Sequence, residues 1–478
     1  MPKLRIVQNE IVKTIAFEGA KPLAELLGGL DIHIDSPCGG RGACKKCTVL
    51  VNGKEELACR YVVCEDTVAV VRSFKDIASV TGAVETDVLT EKVCLCLDIG
   101  TTTLALALVS FDNYQVIKTK TAPNPQREFG ADVISRIEYC TNNGPEKLQQ
   151  LLVKAINEMI YDIFNEYGLK TIEKMYVAGN TTMLHSFLGV DCSSLGVSPY
   201  TPIFLDEKLT SGKYLGFDNI DEIVLLPGIS AFVGADIVSG LGYVDKPKKD
   251  KYSLLVDLGT NAEIVLFNNE KYLCATAAAG PCFEGANISC GMSASVGAIS
   301  KYNSDGSYSV IGGTEPEGIC ATGLIDIVAE LLRNGTIDES GYLEEDFVLS
   351  ENVRVSGADI RELQLAKSAV ISAILCLLKR ADIDFDDVEA MYVAGGFSTE
   401  LSVENAAYIG LIPSELANRF IPINNSSLLG TVKYACVGND LVEIVKKAEF
   451  MDLGIDNTFT ELFFENMSFS RLSNNPTA

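Results

Sequence analysis

The chain is short of positive charge and of long apolar runs. Its 39 Lys and Arg residues stand against 64 Asp and Glu residues, which gives a formal net charge of −25 over 478 residues. Such an acidic chain repels phosphates, so nucleic acid and anionic membranes are excluded as expected partners. No apolar run reaches the roughly 20 residues of a membrane span, and residues 1–15 lack the apolar core of a signal peptide. We therefore predict a cytoplasmic protein.

The composition is otherwise that of a globular protein. Hydrophobic residues make up 47% and charged residues 22%, which suits a sizeable buried core, and the length suits two or three domains. Fifteen cysteines are present, and in the cytoplasm most of them should be thiols. Ten stand singly among apolar or small residues and are predicted to be core residues. A tight cysteine cluster in such a chain indicates a metal site or a catalytic site more often than a disulfide framework.

Such a cluster lies near the N-terminus, in "CGGRGACKKC" and a cysteine that follows it. The spacing is C-x5-C-x2-C-x11-C, and the four residues are Cys38, Cys44, Cys47 and Cys59. The glycines in this stretch allow backbone conformations with positive φ and let N–H groups point at sulfur. Plant-type two-iron ferredoxins have a similar C-x4-C-x2-C…C pattern. We therefore predict that these four cysteines bind a 2Fe-2S cluster.

Zinc is the alternative metal, because C-x2-C is also a zinc spacing. Zinc sites of four cysteines usually contain two such pairs, and only one is present here. Cys64 is predicted to be a bystander. His33, which alternates with apolar neighbours, is predicted to be structural rather than a Rieske-type ligand.

A second kind of motif begins with "LDIGTTTLALAL" at residues 97–108, where a buried strand runs into a Gly and Thr turn and then into another strand. Glycine lets the backbone approach a phosphate, backbone N–H groups and hydroxyls can donate to its oxygens, and an aspartate can hold hydrated Mg²⁺. No G-K-S/T sequence follows, so this is not a Walker A loop. The residues assigned to phosphate and Mg²⁺ are Asp98, Gly100, Thr101, Thr102 and Thr103.

The same motif recurs in "VDLGTNAEIVLF" at residues 256–267, and two such hairpins are far more specific than one. A third element, "MYVAGGFSTE" at residues 391–400, ends a strand with paired glycines, against which adenine or ribose could lie. By itself this third element would indicate only a tight turn. The residues assigned to nucleotide binding in the two elements are Asp257, Gly259, Thr260, Asn261, Gly395, Gly396 and Phe397.

Together these elements resemble the acetate and sugar kinase/Hsp70/actin superfamily, with its motifs in order. Residues 234–244, "GADIVSGLGYV", resemble the first connecting helix, and residues 424–436, "NNSSLLGTVKYAC", resemble the second. The resemblance implies that ATP binds between two lobes and that Asp98 and Asp257 hold Mg²⁺ and phosphates. It also implies that Asp236, on the first connecting helix, orients the attacking water. These three aspartates are the predicted catalytic residues.

Four further motifs are similar to those of the ATPases that reductively activate corrinoid proteins. They are "NPQREFGADVISRI", "VAGNTTMLHSFLG", "CFEGANISCGM" and "GICATGLID". The resemblance covers residues 30 to 465, and these relatives also carry a ferredoxin-like two-iron domain. "CATGLID" is also similar to a segment that borders the nucleotide in activators of 2-hydroxyacyl-CoA dehydratases, which implies nucleotide contacts for Gly323 and Asp326. A surface position near a helix N-terminus is the alternative for Asp326.

The resemblance implies that the chain uses ATP to pass one electron from a 2Fe-2S cluster to Co(II) of a corrinoid protein, which regenerates Co(I) for methyl transfer. A corrinoid protein client and an external low-potential electron donor are the implied partners, and a homodimer is left open. Two alternatives keep the fold: activation of another metalloenzyme, and a small-molecule kinase with a redox-sensing domain. An actin-like assembly protein is disfavoured, because a cluster has no role in polymerisation.

The predicted fold class is α/β, with a β-grasp ferredoxin-like α+β domain followed by an actin/Hsp70-like ATPase of two RNase H-like lobes. The domains are residues 1–75, a linker at 76–92 and the ATPase at 93–470. Lobe I covers about 93–251 plus a C-terminal helix, and lobe II about 252–425, with a disordered tail at 471–478. Because the linker is short, the resemblance implies that an extra linker or middle domain is missing.

Overall fold

The structure is a computed structural model. It describes residues 2–8, 11–17, 19–28, 30, 32, 47–70, 92–111, 115–130, 132–438 and 440–469. The predicted cluster ligands Cys38 and Cys44, the predicted structural His33, nearly all of the linker and the tail lie outside the described residues.

The N-terminal domain is a mixed sheet with one helix packed on it. Its elements are β1 (Lys3–Gln8), β2 (Ile11–Ala16), β3 (Lys21–Pro22), α1 (Leu23–Gly28), β4 (Thr48–Val51), β5 (Lys54–Leu57), β6 (Val62–Val63) and β7 (Thr67–Val70). The main sheet has the order β2-β1-β7-β4-β5, with β1 and β7 parallel and the other pairs antiparallel. In β1, Leu4 and Ile6 are buried and Arg5 is exposed, as expected for a sheet covered on one face. This strand order is that of a β-grasp domain.

The first lobe is built on a six-stranded sheet. Its elements are β8 (Val93–Ile99), β9 (Thr103–Ser110), β10 (Val116–Pro123), α2 (Val133–Asn143), α3 (Glu146–Tyr167), β11 (Ile172–Gly179), α4 (Thr181–Leu188), β12 (Lys208–Ser211), β13 (Ile220–Leu225) and α5 (Ala235–Tyr243). The sheet order is β10-β9-β8-β11-β13-β12. β8 is buried on both faces, because Leu95 and Leu97 belong to one apolar cluster and Cys94 and Cys96 to another. A continuous apolar run is the sequence pattern of such a strand.

The second lobe repeats this architecture. Its elements are β14 (Tyr252–Leu258), β15 (Ala262–Phe267), β16 (Tyr272–Ala277), β17 (Ala298–Tyr302), β18 (Tyr308–Val310), β19 (Gly318–Ile319), α6 (Ala321–Arg333), β20 (Phe347–Val348), β21 (Arg354–Val355), α7 (Gly357–Ala381), β22 (Val388–Ala394), α8 (Val403–Tyr408) and β23 (Phe420–Pro422). β14, β15 and β16 form antiparallel hairpins as β8, β9 and β10 do, and β22 lies parallel to β14 as β11 does to β8. The prediction of two lobes that each open with a hairpin is therefore confirmed.

The C-terminal part of the chain returns to both lobes. It contains α9 (Ser426–Val437), α10 (Leu441–Lys447), β24 (Ala448–Met451) and α11 (Asn457–Glu465). α9 packs on β8 through Leu428 and Val432, so it is the C-terminal helix expected in lobe I. β24 instead pairs with β16, and Lys367 of α7 donates to two carbonyl oxygens just beyond α11. The last strand and helix therefore belong to lobe II, beyond its predicted end near residue 425.

The two helices that connect the lobes, α5 and α9, cross at glycine. A Cβ atom on Gly430 would lie 1.9 Å from the carbonyl oxygen of Ser239, and one on Gly240 would lie 2.9 Å from the Oγ atom of Ser426. Real Cβ atoms do not approach a backbone oxygen as closely as 1.9 Å, so the crossing requires glycine at position 430 of α9. α5 leads from β13 to β14, and α9 follows β23, so this crossing sets how the lobes meet.

None of the helices that the structure describes is long and apolar enough to cross a membrane.

We expect Gly430→Ala to destabilise the protein, because the added methyl group must push α5 and α9 apart. Overpacking of this kind costs about 1–3 kcal/mol, which chemical denaturation can measure. Gly357→Ala is the matched control, since nothing lies within 4 Å of a Cβ atom at that helical position. Equal stability of the two variants would contradict the crossing described here.

Candidate functional site

The two predicted phosphate loops are the turns of the β8–β9 and β14–β15 hairpins. In the first, the N–H of Gly100 donates to the carbonyl oxygen of Thr103 at 3.0 Å, and in the second the N–H of Gly259 donates to that of Asn261 at 3.1 Å. A Cβ atom on Gly100 would lie 2.6 Å from the same Thr103 oxygen, so the first turn requires glycine. Each strand brings an aspartate to the start of its turn, as the sequence pattern predicted.

Asp98 joins the first loop to the beginning of α9. Its carboxylate accepts hydrogen bonds from Oγ of Ser427 and from Nδ2 of Asn425, each at 2.7 Å. The side chain of Asn425 also caps α9, since it accepts from the N–H of Leu428 at 2.7 Å. Burial raises the pKa of Asp98, and the two hydrogen bonds oppose that rise. Any movement of this aspartate would therefore also move the beginning of the connecting helix α9.

Four carboxylates concentrate negative charge in the cleft. Burial raises the pKa of Asp236 to about 7, with the charges of Asp98 and Asp257 adding to the effect. Burial likewise raises the pKa of Asp257 to about 7, with a contribution from Asp98. Glu263, which lies opposite Asp257 in the β14–β15 ladder, has its pKa raised by burial and then by Asp236 and Asp257. The three predicted catalytic aspartates are thus electrostatically coupled, and Glu263 is a fourth member that the sequence analysis missed.

This charge suits a divalent cation, although the cluster is not a closed protein cage. Within the described ranges, no three His, Cys, Asp or Glu side chains are arranged to hold a metal ion by themselves. Mg²⁺ usually takes one or two carboxylates and fills its remaining positions with water and substrate phosphates. The donor set therefore fits Mg²⁺ that arrives with a nucleotide.

Glu284 bridges the two phosphate loops. Its Oε2 atom accepts from Oγ1 of Thr102 at 2.9 Å, and its Oε1 atom accepts from the N–H of Thr260 at 3.2 Å and from its Oγ1 at 2.7 Å. The sequence analysis noted the surrounding "CFEGANISCGM" but did not single out this glutamate, because its partners lie 24 and 182 residues away.

A buried arginine supports the first loop. Arg136 is fully buried and donates to the carbonyl oxygens of Thr101 at 2.5 Å and Gly130 at 3.0 Å. Burial, and then the charge of Arg127, lowers its pKa to about 9. Asn124 adds a hydrogen bond to the carbonyl oxygen of Gly100 at 2.8 Å. The motif "NPQREFGADVISRI" thus has a structural function: it fixes the backbone of the loop.

The motif "VAGNTTMLHSFLG" holds the other side of the same loop. Asn180 caps α4 by accepting from the N–H of Met183 at 2.9 Å, and it donates to Oγ1 of Thr101 at 3.0 Å. One side chain therefore orders both a helix N-terminus and a loop threonine.

The predicted adenosine element lies beside the second loop. Gly395 has φ of +109°, and a Cβ atom there would lie 2.5 Å from the carbonyl oxygen of Leu258. Gly396 is exposed, and the half-buried Phe397 packs on Phe283 with ring centroids 5.4 Å apart. The backbone conformation explains the first glycine, and the assignment of all three residues to adenosine stays a prediction.

Gly323 and Asp326 have internal roles in this structure. A Cβ atom on Gly323 would lie 2.2 Å from the carbonyl oxygen of Ile299, so the glycine lets α6 approach β17. Asp326 is 4% exposed and accepts from Nδ2 of Asn405 at 2.6 Å and from the N–H of Tyr302 at 3.3 Å. Burial raises the pKa of Asp326. It is therefore not the surface residue weighed as the alternative, and a contact with ribose would require it to exchange one of these partners.

Two of the four predicted cluster ligands come together. Cys47 is buried, and its Sγ atom lies 3.2 Å from that of Cys59. The separation exceeds the roughly 2.05 Å of a disulfide and is short enough for both sulfurs to bind one metal ion. Cys64 is exposed, and its predicted bystander role stays a prediction. The described part of the site thus fits an iron–sulfur or zinc ligand pair.

The two repeated lobes, their phosphate loops and the crossing helices define a two-lobed ATPase of the acetate and sugar kinase/Hsp70/actin class. Comparison with family models narrows the class. The model of the C-terminal domain of RACo, described as the ASKHA domain, matches residues 251–477, and that of the RACo middle region matches residues 93–247. The middle region is therefore present, and the expectation that a middle domain is missing was wrong. The RACo middle region corresponds to the part of the chain that was predicted to be lobe I.

Comparison with individual proteins supports the same family assignment. The corrinoid activation enzyme RamQ of Eubacterium limosum is 30% identical over 420 residues, which cover 78% of this chain and 70% of that protein. A Co(II) methylated amine-specific corrinoid protein reductase of Methanosarcina barkeri is 25% identical, covering 78% and 76%. A solved structure of a reductive activator for a corrinoid, iron-sulfur protein superposes with a TM-score of 0.71 at 27% identity and covers 98% of each chain. The chain belongs to the family of reductive activators of corrinoid proteins.

Asp236→Asn should change how stability depends on pH. Because the pKa of Asp236 is about 7 when folded against an ordinary value of 3.8, the folded state keeps this proton over the interval between them. Stability therefore falls as the pH rises from about 4 to about 7. The variant should gain more stability over the wild type at pH 8 than at pH 5, as thermal unfolding in EDTA without nucleotide would show.

Asp305→Asn is a control of opposite sign. Hydrogen bonds from Ser307 hold the pKa of Asp305 below its ordinary value, so its charge favours folding at pH 8. This variant should not be stabilised at pH 8. A constant difference between Asp236→Asn and the wild type at both pH values would contradict the assignment for Asp236.

Proposed function

We propose that this protein uses ATP to drive the transfer of one electron from a 2Fe-2S cluster to Co(II) of a corrinoid protein, which regenerates Co(I) for methyl transfer. The observation that carries the proposal is the combination, in a chain of this family, of a two-loop ATPase cleft with a β-grasp domain that presents paired cysteines. The proposed partners are a corrinoid protein and an external low-potential electron donor. The proposed location is the cytoplasm.

The reduction potentials of the cluster and of the corrinoid cobalt explain why the electron transfer needs ATP. When bound, a plant-type cluster supplies one electron at about −400 mV, and Co(II) reduction in corrinoids requires a lower potential than this. Electron transfer therefore needs a second source of free energy. ATP binding and hydrolysis between two lobes can supply it, because closure of lobes changes surfaces distant from the phosphates.

Different residues of the cleft are assigned to binding Mg²⁺, to positioning water and to contacting the nucleotide. Asp98 and Asp257 would hold Mg²⁺ and, through it, the phosphates. Asp236, which is buried beside Asp98 and Asp257, would orient the attacking water and accept its proton. The remaining nucleotide contacts are assigned to Gly100, Thr101, Thr102, Thr103, Gly259, Thr260, Asn261, Gly323, Asp326, Gly395, Gly396 and Phe397.

The structure offers a mechanical route from the phosphates to the lobes. Asp98 is hydrogen-bonded to Asn425 and Ser427 at the beginning of α9. Because α9 crosses α5 at Gly430 with no free space, a shift of one helix must move the other. A change at the first loop would thus alter the angle between the lobes.

The β-grasp domain, which would carry the electron, lies against the same region. A Cβ atom on Gly28, at the end of α1, would lie 2.6 Å from Oε1 of Glu128. Glu128 ends the short helical turn Pro125–Glu128. The cap of this turn is Asn124, which also donates to the first phosphate loop. Movement of the loop therefore has a short path to the β-grasp domain.

The decisive experiment is anaerobic reduction of a corrinoid protein held in the Co(II) state. With reductant, Mg²⁺ and ATP, the protein should produce the absorption band of Co(I), and without ATP it should produce far less. ATP hydrolysis should rise when the Co(II) protein is added. Purified protein that contains zinc and no iron, together with no Co(I) band, would overturn the proposal.

Cys59→Ser tests the cluster separately from the ATPase. The variant should lose bound iron and the visible absorption of the cluster, since it removes one of the paired sulfurs. Cys64→Ser is the control: this exposed thiol is outside the predicted ligand set, and its loss should leave the iron content unchanged. Equal iron loss in both variants would show that the ligands were assigned wrongly.

A further inference from the structure

The carboxylate of Glu284 joins the phosphate loops of the two lobes through its two oxygens. Oε2 accepts from Oγ1 of Thr102 in lobe I, and Oε1 accepts from both the N–H and Oγ1 of Thr260 in lobe II. Because an ionised carboxylate is an acceptor only, each of these bonds uses a donor of the loop.

Those donors are the groups that such loops offer to phosphate. Backbone N–H groups and threonine hydroxyls cradle phosphate oxygens in nucleotide-binding turns. A hydroxyl has one hydrogen, so Thr102 and Thr260 cannot donate to Glu284 and to a phosphate oxygen at once. A carboxylate and a phosphate are also both anionic, which makes their simultaneous presence between the loops unfavourable.

We propose that Glu284 is an internal latch that holds the two phosphate loops together and that the phosphates of the nucleotide displace it. The proposal rests on the proposed function, because it needs the two loops to bind nucleotide. It adds a regulatory residue to that site. The binding free energy of the nucleotide is then reduced by the work of opening the latch. The apparent affinity equals the intrinsic affinity multiplied by the fraction of molecules whose loops are free.

The segment after Glu284 is tightly folded and contacts α7, so a displacement of Glu284 would move it. Gly285 has φ of +76°, and a Cβ atom there would lie 2.5 Å from backbone atoms of Met292, so the segment folds back tightly on itself. The N–H of Met292 donates to the carbonyl oxygen of Ile319 at 2.9 Å, and the N–H of Ser289 donates to Asp359 of α7 at 2.6 Å. Movement of the latch therefore reaches α7, a long helix of lobe II.

The preceding residue connects the latch to the nucleoside side. Phe283 packs on Phe397, with ring centroids 5.4 Å apart. A displaced Glu284 would disturb this aromatic pair. The chain contains no tryptophan, so Phe397→Trp would place a single fluorescent reporter beside the latch.

The test is calorimetric titration of the full-length protein with Mg²⁺ and AMPPNP, and with ADP. Glu284→Asp keeps the charge but is one methylene shorter and cannot reach both loops, while Glu284→Gln removes the charge. Both variants should bind AMPPNP about tenfold more tightly than the wild type, which corresponds to about 1.4 kcal/mol. Their thermal stability without nucleotide should be lower.

Two results would overturn the latch. Tighter binding by Glu284→Gln alone would mean that charge repulsion, not bridging, sets the affinity. Unchanged or weaker binding by both variants, with loss of hydrolysis, would mean that the glutamate acts on the bound nucleotide instead.

The Phe397→Trp reporter follows the latch through a second signal that does not depend on measured affinity. In the wild-type background AMPPNP should change its emission, and in the Glu284→Asp background the emission without nucleotide should already be shifted in the same direction. Identical emission in both backgrounds before nucleotide is added would overturn the latch.

None of these measurements uses the cluster or a corrinoid protein. Co(I) formation without affinity gain would therefore sink the latch alone, and affinity gain without Co(I) formation would sink the proposed function alone.

Discussion

The close crossing of α5 and α9 is the constraint on which the site depends. Gly430 lies directly on the backbone of Ser239, with no room for a side chain. α5 carries Asp236, and both the cap of α9, Asn425, and its second residue, Ser427, donate hydrogen bonds to Asp98. The helices that hold the lobes together thus also supply Asp236 and position Asp98, two of the three carboxylates proposed to act in catalysis. A change in either the phosphates or the lobe angle must therefore affect the other.

Around this crossing, the cleft brings several buried carboxyl groups close together. Burial and mutual repulsion raise the pKa values of Asp236, Asp257 and Glu263. Burying several carboxylates together costs free energy unless a cation neutralises them, so the cleft favours the binding of a divalent ion. Glu284 adds a further acidic side chain, held between the loops by threonine donors. Mg²⁺ with a nucleotide would therefore relieve repulsion in the cluster while competing for the donors of the latch.

Much of the site could be predicted because its signals are local. A buried strand, an Asp-x-Gly-Thr turn and a second strand specify a hairpin from about ten consecutive residues, so Asp98, Asp257 and their turns were found. Glu263 and Glu284 were missed. Glu263 acts through the residue opposite it on the neighbouring strand, and Glu284 acts through threonines in two different lobes. Neither relation leaves a pattern along the chain, since strand register and lobe packing create it.

The sequence by itself determined the order of the domains, the repeated hairpins, the connecting helices and the four candidate cluster cysteines. The hairpins follow from apolar runs and turn chemistry, which act between near neighbours. The cysteines follow from their spacing, and the connecting helices were implied by the resemblance to a known superfamily. Only the tertiary structure decided that Arg136 supports the first loop, that Asp326 is turned inward and that Glu284 bridges the lobes. It also decided that the final strand and helix return to the second lobe. Those outcomes depend on packing between segments far apart in the chain, where the nearest neighbour of a side chain is chosen by the whole fold.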